Sequence, residues 1–170
     1  MRYVTGSCIA FMLALVQASS IEQFHIFGVS PNLMLVFLVT WLVVRGLEDV
    51  LPMVAVAGVT LSLVGLQTPG LVLLALLPIA GFGVAREMHV VHSEILLTLL
   101  LVIGATVAYE TVLLASVMAT GGALDAAAGL RSAIVPAALV NVMLAPVVYA
   151  FMRLARPSDR RNRFSYELRG

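Results

Sequence analysis

The chain has 170 residues, 61% of them hydrophobic and only 11% charged, with a formal net charge of +1 and a mean hydropathy of +1.06. Soluble proteins carry about 25% charged residues, so this composition excludes a water-soluble globular domain and requires apolar side chains to face lipid. All ten basic residues are arginines, six of them between Arg153 and Arg169, and the single cysteine, Cys8, excludes an intramolecular disulfide. No soluble domain is expected beside the membrane part within these 170 residues. The expected organisation is one transmembrane domain over residues 1–154 followed by a basic cytoplasmic tail over 155–170.

Six apolar runs are separated by polar or turn-forming breaks: Val4–Ser19, Pro31–Val44, Val50–Leu66, Gly70–Ala85, Glu94–Met118 and Ser132–Leu154. The expected fold class is therefore an all-α integral membrane protein with six transmembrane helices. Several runs are shorter than the ~20 residues that usually cross a bilayer, which implies local thinning or shelter by neighbouring helices.

The first run carries Gly6, Ala10, Ala14 and Ala18 in one four-residue register. Such a stripe forms a slanted groove that lets another helix backbone approach closely, either from this chain or from a partner. Arg2 ahead of the run and Val16-Gln17-Ala18 near its end also resemble a cleavable signal peptide. Five further spans that need packing partners favour a retained helix. Retention also makes the number of spans even.

The second run opens on Ser30-Pro31, read as an N-cap with proline at the first helical position. Thr68-Pro69-Gly70 makes a tight turn between the third and fourth helices, and Ser93 can cap the fifth. Pro78, with Gly81 and Gly83, is expected to break the fourth helix, and Pro146 the sixth. Broken helices can line transporter sites, and membranes also tolerate them where neighbours satisfy the freed carbonyls.

The loop Arg86–Glu94 holds Glu87, His89, His92 and Glu94. Imidazole and carboxylate suit zinc, yet the spacing is no defined motif, and no metal is expected.

In the fifth run Glu110 is an acid well inside an apolar helix, where it costs on the order of 3 kcal/mol. It stands eight residues before Met118, and Asn141 stands nine residues after Ser132 on the returning helix. At similar depths, the two could share a hydrogen bond. The alternatives are a polar contact with a partner helix or a proton or cation site, and the absence of a second titratable group nearby disfavours the latter.

Orientation follows from the arginines. With the N-terminus cytoplasmic, the inside holds Arg2, Arg45, Arg86, Arg153, Arg156, Arg160, Arg161, Arg163 and Arg169, and the outside only Arg131. Nine against one places both termini in the cytoplasm. The tail arginines can hold anionic lipid of the inner leaflet or contact a cytoplasmic partner. No nucleophile elbow, phosphate-binding glycine loop or carboxylate pair occurs, so neither catalysis nor a cofactor nor a nucleic-acid partner is expected.

Taken in order, these segments resemble the rod-shape-determining MreD family. The resemblance rests on Pro31-Asn32 opening the second helix with Arg45-Gly46 after it, and on Gly58 and Gly70 flanking the third helix and its turn. Its third part is the run Asn141, Pro146, Tyr149 and Arg153 leading into the basic tail. The family often carries an aspartate in the third helix, where this chain has Ser62, so that acid's role does not carry over. The resemblance implies a non-catalytic component of the bacterial cell-elongation machinery in the cytoplasmic membrane. It would associate with the bitopic protein MreC and, indirectly, with the RodA glycosyltransferase, a class B penicillin-binding transpeptidase and MreB filaments. It also implies the six-helix bundle of the S-components of ECF transporters. The alternative reading is itself an S-component, a vitamin-binding transporter subunit that docks through Ala10 and Ala14 on helix 1. The sparse polar residues of the outer segments weigh against it.

Overall fold

The computed structural model describes residues 2–20, 28–64, 69–87, 93–121 and 129–154. They form six α-helices: α1 (Arg2–Ser20), α2 (Leu33–Arg45), α3 (Leu47–Val64), α4 (Pro69–Glu87), α5 (Glu94–Ala119) and α6 (Val135–Leu154). A π turn, Leu130–Ile134, leads into α6. The basic tail lies outside the described residues.

Three stretches, Leu47–Val64, Glu94–Ala119 and Arg131–Leu154, are long and apolar enough to cross a membrane. Three apolar stretches are shorter: Thr5–Gln17, Leu33–Arg45 and Gly70–Gly83. Length and composition thus qualify three of the six expected spans.

α2 starts two residues later than expected. Asn32, not Ser30, is the N-cap: its Oδ1 accepts from the Leu35 N–H at 3.0 Å, and its carbonyl accepts from the Val36 N–H at 3.1 Å. Asparagine caps as well as serine. Pro31 precedes the cap, buried, rather than opening the helix. At the other end Gly46 adopts φ +110°, ψ 173°, a region open almost only to glycine, while its N–H returns to the Leu42 carbonyl at 3.0 Å. One residue therefore turns the chain from α2 into α3.

Ser93 caps α5 through its side chain on the Leu96 N–H. Pro69 opens α4, as suits a residue with no N–H to donate. The expected breaks at Pro78 and Pro146 do not occur: α4 and α6 run through both prolines. A proline removes one ladder bond, and inside an apolar medium the remaining bonds have no water to exchange with, so the helix persists.

α2 is the centre of the bundle. Ten of its thirteen residues are buried and it touches all five other helices, as a helix that is apolar on every side must. Around it α1, α3, α4, α5 and α6 pack in that order, with α1 and α6 the two ends of an open ring. Close approaches set the spacing. A Cβ on Gly58 would crowd the Leu73 side chain of α4, with Cγ at 3.0 Å, and one on Gly83 would lie 2.8 Å from Leu47 Cδ1 of α3. Gly70 has no such neighbour.

The small-residue groove of α1 faces inward. Ala10 and Ala14 are fully buried, Gly6 is buried, and α1 packs chiefly on α3. A Cβ on Gly6 would lie 2.9 Å from Met53 Sδ of α3 and 3.5 Å from Trp41 Cζ2 of α2. Ala18 continues the helix, and its side chain is outside the described residues.

Candidate functional site

A buried helix end requires partners for its free N–H groups. The N-terminus of α2 finds them in three amide side chains. Gln17 of α1 accepts from the Met34 N–H through Oε1 at 2.7 Å and donates through Nε2 to Asn32 Oδ1 at 3.0 Å. Asn32 Oδ1 also accepts the Leu35 N–H, so both of its lone pairs are used. The Asn32 N–H donates to Asn141 Oδ1 of α6 at 2.9 Å, and Asn141 Nδ2 donates to Thr106 Oγ1 of α5 at 3.1 Å. Four helices are thereby tied at one point. Asn32, Thr106 and Asn141 are all buried.

Asn141 thus meets Thr106 and not Glu110. Thr106 precedes Glu110 by four residues, about 6 Å along the axis, and a side chain as short as asparagine reaches only one of them. Gln17 and Thr106 were not singled out by the sequence reading. The signal for Gln17 was present, as an amide near the end of an apolar helix, but it stands at a position that also reads as a cleavage site.

Glu110 is half-buried on α5, and among the described residues no hydrogen bond or ion pair forms at its carboxylate. It extends a stripe, Ile103, Val107 and Glu110, at steps of four and three residues that share one helix face. Ile103 and Val107 line a wholly apolar groove of about 340 Å³ against Ile134, Val135, Ala138, Leu139 and Val142. The α5–α6 face therefore presents an apolar groove, with an acid one turn beyond the last α5 residue lining it.

The other expected residues are dispersed. Arg45 stacks over the Trp41 ring, 5.6 Å from its centroid, and Trp41 in turn lies 5.4 Å from Phe37. Trp41 Nε1 is buried and has no hydrogen-bond partner among the described residues. Ser62, where the MreD pattern often has an aspartate, is buried and donates to the Gly58 carbonyl of its own helix. Pro146 and Arg153 are exposed on α6.

Of the acid–histidine loop, His89 and His92 lie outside the described residues, as does the Glu87 side chain, and Glu94 accepts a hydrogen bond from Tyr149. No group of three potential metal ligands occurs among the described residues.

The amide network is uncharged and ties the end of α2 to α1, α5 and α6. The α5–α6 face carries an apolar groove, with the Glu110 carboxylate one turn beyond its α5 lining. Comparison with protein-family models, with curated proteins and with solved structures finds no match to this chain.

Proposed function

We propose that this chain is a non-catalytic membrane scaffold of the MreD type, whose α5–α6 face receives the transmembrane helix of an MreC-like bitopic protein. Through that partner it would support peptidoglycan synthesis by a RodA-type glycosyltransferase and a class B transpeptidase, in register with MreB. In this reading the six helices form an S-component-like bundle in the bacterial cytoplasmic membrane with both chain ends inside, and the three shorter ones, α2 with its N-terminus near mid-depth among them, are sheltered by their neighbours.

The observation that carries the proposal is Glu110. Every other polar group of the bundle interior described above, apart from the Trp41 indole N–H, is satisfied within the chain, whereas this carboxylate, beside an apolar groove, has no described partner. An acid placed so in a membrane is costly, and a donor from a docked helix removes that cost.

The test is co-expression with an MreC-like protein and purification of the pair in detergent. The wild-type chain is expected to retain the partner. Leu139→Trp, which fills the groove from an exposed position, and Glu110→Leu, which removes the acceptor, should each release it without lowering the bundle's unfolding midpoint. No complex with the wild type, together with a small molecule found in the purified chain by mass spectrometry, would favour the transporter-subunit alternative.

A further inference from the structure

The beginning of α5 and the end of α6 meet in a crevice of about 260 Å³ lined by Ser93, Glu94, Ile95, Tyr149 and Arg153. We infer that this crevice binds the aminoethyl-phosphate headgroup of a zwitterionic phospholipid, with Glu94 taking the ammonium and Arg153 the phosphate.

Position comes first. Glu94 opens one of the stretches long enough to cross a membrane, and Arg153 is the penultimate residue of another. The crevice is therefore where hydrocarbon gives way to headgroups. That placement rests on α5 and α6 crossing a bilayer, not on the identity of any protein partner.

Charge selects the ligand. The Tyr149 hydroxyl donates to Glu94 Oε2 at 2.9 Å, which fixes the carboxylate and leaves Oε1 free to accept. Arg153 lines the same crevice, yet among the described residues it forms no ion pair with Glu94. Two opposite charges that line one small space without pairing fit a ligand carrying both signs. A purely anionic headgroup would face the Glu94 carboxylate, and a simple cation would face the Arg153 guanidinium.

The flanks favour a lipid over a free headgroup. Ile95 and Leu96 on α5, and Phe151 and Leu154 on α6, are exposed apolar side chains at the same end of the two helices. They offer acyl chains a surface that a soluble phosphoethanolamine does not use.

The test uses the full chain, delipidated in detergent and offered phosphatidylethanolamine, phosphatidylcholine or phosphatidylglycerol, with retained lipid read by native mass spectrometry. Phosphatidylethanolamine should be retained about tenfold over phosphatidylcholine, the equivalent of one hydrogen bond to a charged group. Phosphatidylcholine has the same net charge but no N–H to donate. Glu94→Gln should abolish the preference over phosphatidylcholine, and Arg153→Gln, at an exposed position, should weaken retention of every phospholipid.

Equal retention of phosphatidylethanolamine and phosphatidylcholine, indifference to Glu94→Gln, or equal competition by soluble phosphoethanolamine would each overturn the lipid site. Extraction of the chain from membranes by alkaline carbonate would overturn both this site and the membrane reading. Retention in membranes with no headgroup preference would overturn the site alone.

Discussion

Asn141 is 1% exposed and joins two helices to the end of α2, so its replacement tests the amide network directly. Leucine has the same number and branching of side-chain heavy atoms, and Asn141→Leu therefore removes both hydrogen bonds without opening a cavity. The Asn32 N–H then loses its acceptor in a buried site, at about 1–3 kcal/mol. Loss of the bond to Thr106 adds about 0.6 kcal/mol, the average for interhelical pairs in membranes. The expected total is about 2–4 kcal/mol, a large share of the roughly 5–15 kcal/mol that holds a protein folded. Thr106→Val removes only the second bond and should cost no more than about 1–2 kcal/mol. Because that bond is already gone in Asn141→Leu, the double variant should be little worse than Asn141→Leu alone. Equilibrium unfolding with SDS in mixed micelles, followed by circular dichroism, measures all three. Asn141→Leu costing no more than Thr106→Val, or strict additivity of the two, would refute the network as the anchor of α2.

Ala14→Leu should destabilise by about 1–3 kcal/mol through overpacking against α3, whereas Met12→Leu on the exposed face of α1 should change nothing. Equal midpoints for the two in the same SDS titration would show that the small-residue groove is not packed inside the bundle. Gly46→Ala should cost about 1–3 kcal/mol, because φ +110° with ψ 173° is closed to a residue with a Cβ; an unchanged midpoint would mean that the α2–α3 junction has another geometry.

The helical segments were legible because apolar runs and their breaks are long-range signals. The expected fifth run ends one residue short of α5, and the third and fourth runs differ from α3 and α4 by only a few residues at each end. What failed was local choice between equivalent signals. Ser30-Pro31 and Asn32 are both valid helix starts, and the decision lay in what each could reach: Asn32 is placed against Gln17 and Asn141, contacts separated by 15 and 109 residues in the sequence. The π turn before α6 has no composition of its own and could not be read. The prolines misled because their usual effect presumes water to take over the freed carbonyl. Asn141 was legible as a buried polar group, while its partner was not. Counting residues from the outer ends places Asn141 and Glu110 at similar depth, but it does not show that Thr106, one turn earlier on α5, takes the Asn141 N–H.

A single geometric constraint connects residues that the sequence presents separately. α2 has 13 residues, about 20 Å of helix, against a hydrocarbon core of about 30 Å. Its N-terminus is joined through Asn141 to Thr106, the thirteenth of the 26 residues of α5, and so lies near the mid-depth of the bundle. Backbone N–H groups at that depth have no water and must be satisfied by protein. Gln17, Asn32 and Asn141 take the N–H groups of Met34, Leu35 and Asn32, which is why a residue resembling part of a cleavage site, a helix cap and a lone buried amide belong to one structure. Glu110 is four residues beyond Thr106 and outside that structure. Satisfying α2 accounts for Gln17, Asn32 and Asn141 and leaves the Glu110 carboxylate without a described partner, which is why the proposed helix contact is placed there.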